Sequence, residues 1–197
     1  MSATTITPTD SAVEQPFPGL TIHKFAIWLF LASEIMFFAG LIVAYLTIRF
    51  SSADWPVVSE VLNVPLVAAN TFILIVSSVT MVLAFDRVER GDEKFRYLLL
   101  ATAVLGTIFV GVQAFEWQEL LHEGIEPSTN LFGATFYTLT GFHGAHVSIG
   151  VLWVMWVTIK AFRGGYARDH QGVELVGLYW HFVDLVWIIL FTILYLI

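Results

Sequence analysis

The sequence predicts an all-α polytopic membrane protein, a bundle of five transmembrane helices. Three observations carry that prediction. Hydrophobic residues make up 57% of the 197 positions and charged residues only 13%, against about 45–50% and about 25% in a soluble domain. So little charge cannot cover a water-soluble globule of this size. The apolar residues gather into five runs, each as long as the ~20 residues that cross a hydrocarbon core. None of the runs alternates polar and apolar residues as barrel strands do. Lipid offers no partner to an unpaired backbone, so each run is read as a helix.

Residues 1–22 are polar and rich in Thr, Pro and Ser, and are expected to form a mobile tail. They lack the basic stretch, apolar stretch and small-residue cleavage site of a signal peptide. Residues 23–197 form one five-helix transmembrane domain. The first span is expected at about 25–48, with Glu34 inside it and Arg49 closing it. The second, at 65–85, carries no charge and opens on Pro65, which suits a first helical turn. The third, at 97–118, holds Gln113 and Glu116 near its end. The fourth, at 132–159, holds His143 and His146, and the fifth, at 176–197, holds His181 and Asp184. The sequence shows no internal repeat, and its loops are too short for a separate soluble domain.

Five spans put the N-terminal tail, loop 86–96 and loop 160–175 on one side. That side carries Lys24, Arg87, Arg90, Lys94, Arg96, Lys160, Arg163 and Arg168, and the other carries Arg49 alone. Positive charge stays inside, so the N-terminus is expected inside and the C-terminus outside. The same cations can also attract anionic lipid headgroups. The net charge of −7 argues against a nucleic-acid partner. The absence of Cys removes disulfides, thiolate metal sites and iron–sulfur clusters.

Ionisable groups at membrane depth are costly and need a partner or a purpose. Depth along the helices, at ~1.5 Å per residue, suggests three pairings: Glu34 with His146, Glu116 with His143, and His181 with Asp184 one helical turn away. Such groups serve either as hydrogen bonds that fix helix packing or as a site open to lipid or water, Glu34 being the strongest candidate for the second. A haem or metal site is not expected. His143 and His146 share a helix face, but haem takes axial ligands from two helices and a metal takes three or four ligands. The glycines of Gly141–His146 suit close helix contact. Trp117, Tyr179, Trp180, Trp187 and Tyr195 lie partly near span ends, where an interfacial aromatic belt is expected.

Four stretches carry a resemblance. Trp28–Gly40 reads WLFLASEIMFFAG, Gln113–Trp117 reads QAFEW, Gly133–His146 reads GATFYTLTGFHGAH, and Tyr179–Trp187 reads YWHFVDLVW. In these, and over about residues 22–197, the sequence resembles subunit III of the haem-copper cytochrome c oxidases. Many members have seven helices, with a lipid-filled cleft between the first two and the other five. This chain resembles the five-helix form. The resemblance implies a non-catalytic core subunit without a redox cofactor of its own. Haem and copper would reside in partners, the catalytic subunit I and the copper-bearing subunit II, with other small subunits or a respiratory supercomplex as further neighbours. The implied role is to sustain proton uptake and stability of the catalytic subunit during O2 reduction to water in aerobic electron transport, and to hold phospholipid, in a bacterial plasma or inner membrane. Glu34 matches the family's buried carboxylate. Glu116, His143, His146, His181 and Asp184 fall at matching motif positions and would form an intramembrane polar network or lipid contacts, with no catalytic or metal-ligating residue. The quinol-oxidising branch tends to carry Asp where this chain has Glu34, which leans toward a cytochrome c oxidase. The residues alone also admit a proton or ion transporter, although no inverted repeat or broken helix supports one.

Overall fold

The computed structural model describes residues 21–53, 55–166 and 170–197. Residues 1–20 of the expected tail at 1–22 and the cation Arg168 lie outside the described residues, and Ile22 already belongs to the first helix. Described residues form helices and loops only: α1 (Ile22–Ser51), the short α2 (Val58–Val61), α3 (Val64–Glu89), α4 (Phe95–His122), α5 (Leu131–Phe162) and α6 (Gln171–Phe191), extended by a π-helical turn at Thr192–Leu196. Five of these are long and apolar enough to cross a membrane, the last running from Gln171 to Leu196. All five expected spans are present. The helices begin before their apolar runs, and at several ends a capping group marks the boundary.

Those caps are legible in the chain. The Asn63 side chain accepts from the Leu66 N–H at 3.2 Å, with Pro65 in the first turn. The Asn130 side chain accepts from the Gly133 N–H at 2.6 Å, and the Thr21 hydroxyl from the Lys24 N–H at 3.4 Å. Each satisfies an amide that the helix leaves without an acceptor. At the other ends, α3, α4 and α5 stop in the same way. Gly91, Gly124 and Gly164 adopt φ of 72°, 80° and 77°, a region closed to most side chains. The next N–H then folds back onto the helix: Asp92 to Arg87 O at 2.9 Å, Ile125 to Leu120 O at 3.0 Å, and Gly165 to Lys160 O at 3.0 Å.

α3, α4, α5 and α6 pack in a closed ring, each against the next and α6 back against α3, while α1 makes its main contacts with α5 and α6 from outside. Burial follows that arrangement. In its most apolar stretch α1 buries 11% of its residues, against 56% in the last span. Inside the ring sit Leu74, Met81, Leu99, Phe109, Phe136 and Trp180, all fully buried. Trp180 is accommodated because glycines face it. A Cβ on Gly106 would lie 2.5 Å from its ring, and one on Gly150 would lie 3.1 Å from it. The glycines of Gly141–His146 do the work expected of them: a Cβ on Gly144 would lie 3.1 Å from the Gln113 side chain, and one on Gly141 would lie 3.3 Å from Trp117.

The aromatic belt requires correction. Tyr179, Trp180, Trp187 and Tyr195 are buried, not interfacial. An indole N–H needs an acceptor wherever it is buried, and α3 supplies hydroxyls at the right heights. Trp180 donates to Ser77 Oγ at 3.0 Å and Trp187 to Thr71 Oγ1 at 2.9 Å. Trp117 is half-buried.

Candidate functional site

The six ionisable residues singled out in the spans do not form one centre. They fall into four places: Glu34 with His146, Glu116, His143, and His181 with Asp184.

Glu34 and His146 meet where α1 crosses α5, with Glu34 Oε2 3.1 Å from His146 Nε2 and each side chain 17% exposed. This pairing is the one that depth alone suggested. The other imidazole nitrogen, Nδ1, donates to the Phe142 carbonyl one turn back at 2.7 Å. Aromatic rings surround the pair: Phe38 meets the imidazole edge-on at 5.2 Å between centroids, and Phe37 meets Phe142 edge-on at 5.1 Å. The Tyr179 hydroxyl donates to the His146 carbonyl at 2.9 Å and ties the same level of α5 to α6.

Glu116 and His143 are not hydrogen-bonded to each other. Glu116 is buried and accepts from the Tyr195 hydroxyl at 3.1 and 3.0 Å, one distance for each carboxylate oxygen. His143 is completely buried; Nε2 donates to the Val183 carbonyl at 3.1 Å, and the ring stacks on Trp187 at 4.8 Å. Depth matching failed here because it ignores rotation about the helix axis. Glu116 points toward the π-turn that ends the chain's last span, and His143 toward the middle of α6.

His181 and Asp184 share a helix face, as their spacing requires, but a hydroxyl of the next helix intervenes. Ser78 Oγ lies 2.7 Å from His181 Nδ1. The Asp184 carboxyl lies beside the same serine, with Oδ1 buried and without a hydrogen bond. Sequence reasoning did not name Ser78, Thr71 or Ser77, and it placed Tyr195 in an aromatic belt, not beside Glu116. The available signal was a series of small hydroxyls, Thr71, Ser77, Ser78 and Thr80, in a span with no charge at all.

The arrangement does not suit a metal or haem. Among the described residues, no three His, Asp or Glu side chains group closely enough to hold a metal ion. Both nitrogens of His146 and Nε2 of His143 are engaged, the first by Phe142 O and Glu34 and the second by Val183 O. Such groups can fix helix positions, hold a proton or meet lipid.

Comparison with known proteins agrees with this picture. The family model described as cytochrome c oxidase subunit III matches residues 15–197. Cytochrome c oxidase subunit 3 of Bacillus sp. (strain PS3) is 37% identical over 177 residues, 88% of this chain and 86% of the relative. Cytochrome c oxidase subunit 3 of Thermostichus vulcanus is 37% identical over 191 residues, covering 95% and 92% of the two chains. Cytochrome bo(3) ubiquinol oxidase subunit 3 of Pseudomonas aeruginosa is 35% identical over 174 residues, 87% and 83% of the two. This five-span membrane protein belongs to the cytochrome c oxidase subunit III family.

Proposed function

We propose that the chain is the non-catalytic subunit III of a bacterial respiratory haem-copper cytochrome c oxidase. It would sit in the plasma or inner membrane beside a catalytic subunit I that holds haem and copper and a copper-bearing subunit II. Its work there is to stabilise the catalytic subunit, to hold phospholipid and to support proton uptake during O2 reduction. The observation that carries this reading is the family match over residues 15–197. Glu34–His146, Glu116–Tyr195 and Ser78–His181 then act as polar ties between helices, with the partly exposed Glu34 side a contact for lipid. The basic ends of the spans, with Arg87, Arg90 and Lys160 among them, face the cytoplasm. Cytochrome c is the expected electron donor. A quinol is the second reading, favoured by the ubiquinol oxidase relative at 35% identity.

Purification of the tagged chain in mild detergent tests the assignment. A large multi-span partner with a haem absorption band should accompany it, and O2 consumption by the complex should be driven by reduced cytochrome c and not by quinol. Deleting the chain should leave the haem spectrum and the initial rate near normal, with activity lost faster during turnover. A chain that retains no haem protein, or that carries stoichiometric haem when isolated, would overturn the assignment. Turnover by quinol alone would overturn only the choice of donor.

A further inference from the structure

We propose that Glu34 and His146 form a latch that holds α1 on the bundle only while at least one proton lies between them. The helix they hold is the least buried of the five spans, and it is tied to the ring at three levels. At one end Lys24 pairs with Glu174 at 2.7 Å, and Gln171 hydrogen-bonds Thr21. At the other end the Arg49 guanidinium donates to the Ile193 carbonyl at 3.1 Å. Between them the polar tie is Glu34–His146 at 3.1 Å, set among the rings of Phe37, Phe38, Phe142 and Phe182.

The proton count follows from the other imidazole nitrogen. The Phe142 carbonyl can only accept, so Nδ1, 2.7 Å away, carries a hydrogen. A neutral His146 therefore has a bare lone pair at Nε2. It can bond Glu34 only if the carboxyl holds a proton and donates it. The alternative is an imidazolium that donates from Nε2 to the carboxylate. Both arrangements place one proton in the gap. Adding a second leaves the bond in place, since the imidazolium N–H still meets a carboxyl oxygen lone pair. Removing the only proton sets two lone pairs against each other at 3.1 Å, with both side chains 17% exposed and little room for water to intervene. The latch thus fails in one direction, on proton loss to base.

Among the described residues no other group takes over. From α6, the Tyr179 hydroxyl is committed to the His146 carbonyl, and the His181 Nδ1 lies against Ser78. From α5, His143 donates to Val183 O. Among the described residues His146 is the one basic side chain paired with Glu34. Imidazole is the side chain whose proton ordinarily moves near the working pH of a cell. The latch therefore couples proton availability at mid-membrane to how tightly α1 is held.

The test uses the purified oxidase complex containing this chain. Spin labels at Met36→Cys on α1 and Ile149→Cys on α5 sit at exposed positions outside the pair, and the chain has no Cys of its own. In the otherwise wild-type chain, the interlabel distance should lengthen reversibly by a few ångströms between about pH 6 and about pH 10, a range that brackets the ordinary imidazole value. Infrared difference spectra should show proton loss from the pair at the same midpoint. Glu34→Gln supplies a carboxamide N–H to Nε2 without titrating. His146→Gln supplies a carboxamide that can donate to a carboxylate or accept from a carboxyl. Each variant should keep the short distance throughout. A constant wild-type distance overturns the proposal, as does a variant that moves as the wild type does. A distance change out of step with proton loss overturns it equally, and that comparison stands even where a variant fails to assemble.

Discussion

Replacing Tyr195 by phenylalanine removes one hydroxyl from the core and leaves Glu116 without its donor. The ring has reason to stay in place, since it stacks on Phe191 at 5.5 Å and meets Phe136 edge-on at 6.2 Å. What is lost is the pair of contacts at 3.1 and 3.0 Å to a carboxyl that is 3% exposed. Hydrogen bonds between membrane helices average ~0.6 kcal/mol and reach ~1.7, because the unfolded chain in the membrane also finds partners. Bonds to charged groups run higher, ~1.5–3 kcal/mol. Both oxygens of Glu116 depend on this one donor, so the upper part of the membrane range applies, and about 1.5 kcal/mol is expected. Since 1.4 kcal/mol is a factor of ten, the chain should leave the complex about ten times faster on mild heating, if the bond is broken in the transition state for release.

A double-mutant cycle distinguishes the observed pairing from the one suggested by depth. Glu116→Leu fills similar space and removes the need for a donor. Combined with Tyr195→Phe, it should cost about 1 kcal/mol less than the sum of the single changes, the signature of residues in direct contact. Combined with His143→Phe, it should be additive within ~0.5 kcal/mol. Heat-induced loss of the chain from the complex, followed by gel mobility at several temperatures, measures all five variants. Coupling to His143 and none to Tyr195 would refute the assignment of Tyr195 as the partner of Glu116.

The remaining predictions address packing, sidedness and cofactors. Gly106→Val places a Cβ 2.5 Å from the Trp180 ring and 2.9 Å from Val151, an overpacking expected to cost ~1–3 kcal/mol. Gly111→Ala, with nothing within 4 Å, should change stability by less than ~0.5 kcal/mol; the fraction of each variant incorporated into the membrane complex compares them. With no native Cys, Ser128→Cys should react with an impermeant thiol reagent outside intact cells and Glu93→Cys should not. The reverse pattern would invert the proposed topology. The isolated chain should show no stoichiometric haem band by visible spectroscopy and no bound copper by elemental analysis.

Helix number and type were legible because length and apolarity alone decide whether a segment can cross a bilayer. Partners were not, because three coordinates decide a contact and sequence position yields only depth. Glu34 and His146 met as expected because α1 and α5 happen to turn those residues toward each other. Glu116 lies at a height that also suits His143, but the side chain faces Tyr195. The same missing rotation misassigned the aromatics. Trp180 and Trp187 lie seven residues apart in α6, two turns on one face, and that face is the inner wall of the ring. The spacing itself was a clue to burial that nearness to span ends outweighed.

In water, burial of the apolar side chains Leu31, Phe38 and Tyr45 would drive α1 onto the bundle. In lipid that drive vanishes, since hydrocarbon tails are as apolar as leucine, and only packing and polar contacts set where a helix rests. This explains an otherwise odd distribution. α1 contributes few buried residues, yet Lys24, Glu34 and Arg49, which are its only Lys, Arg, Asp or Glu residues, all reach the α5–α6 wall or its ends. Lys24 and Arg49 read in sequence as markers of sidedness and of a span's end. In the fold they are also the outer two of three fastenings. The inner four helices interlock through glycine–indole packing and indole–hydroxyl bonds that no single proton can undo, whereas the outer helix adds to the packing of Leu31, Phe38 and Tyr45 three ties through ionisable groups, one of them near the middle of α1. A helix so held can shift without disturbing the ring, so a change in α1 would be felt by whatever lipid or subunit covers it before it is felt inside the bundle.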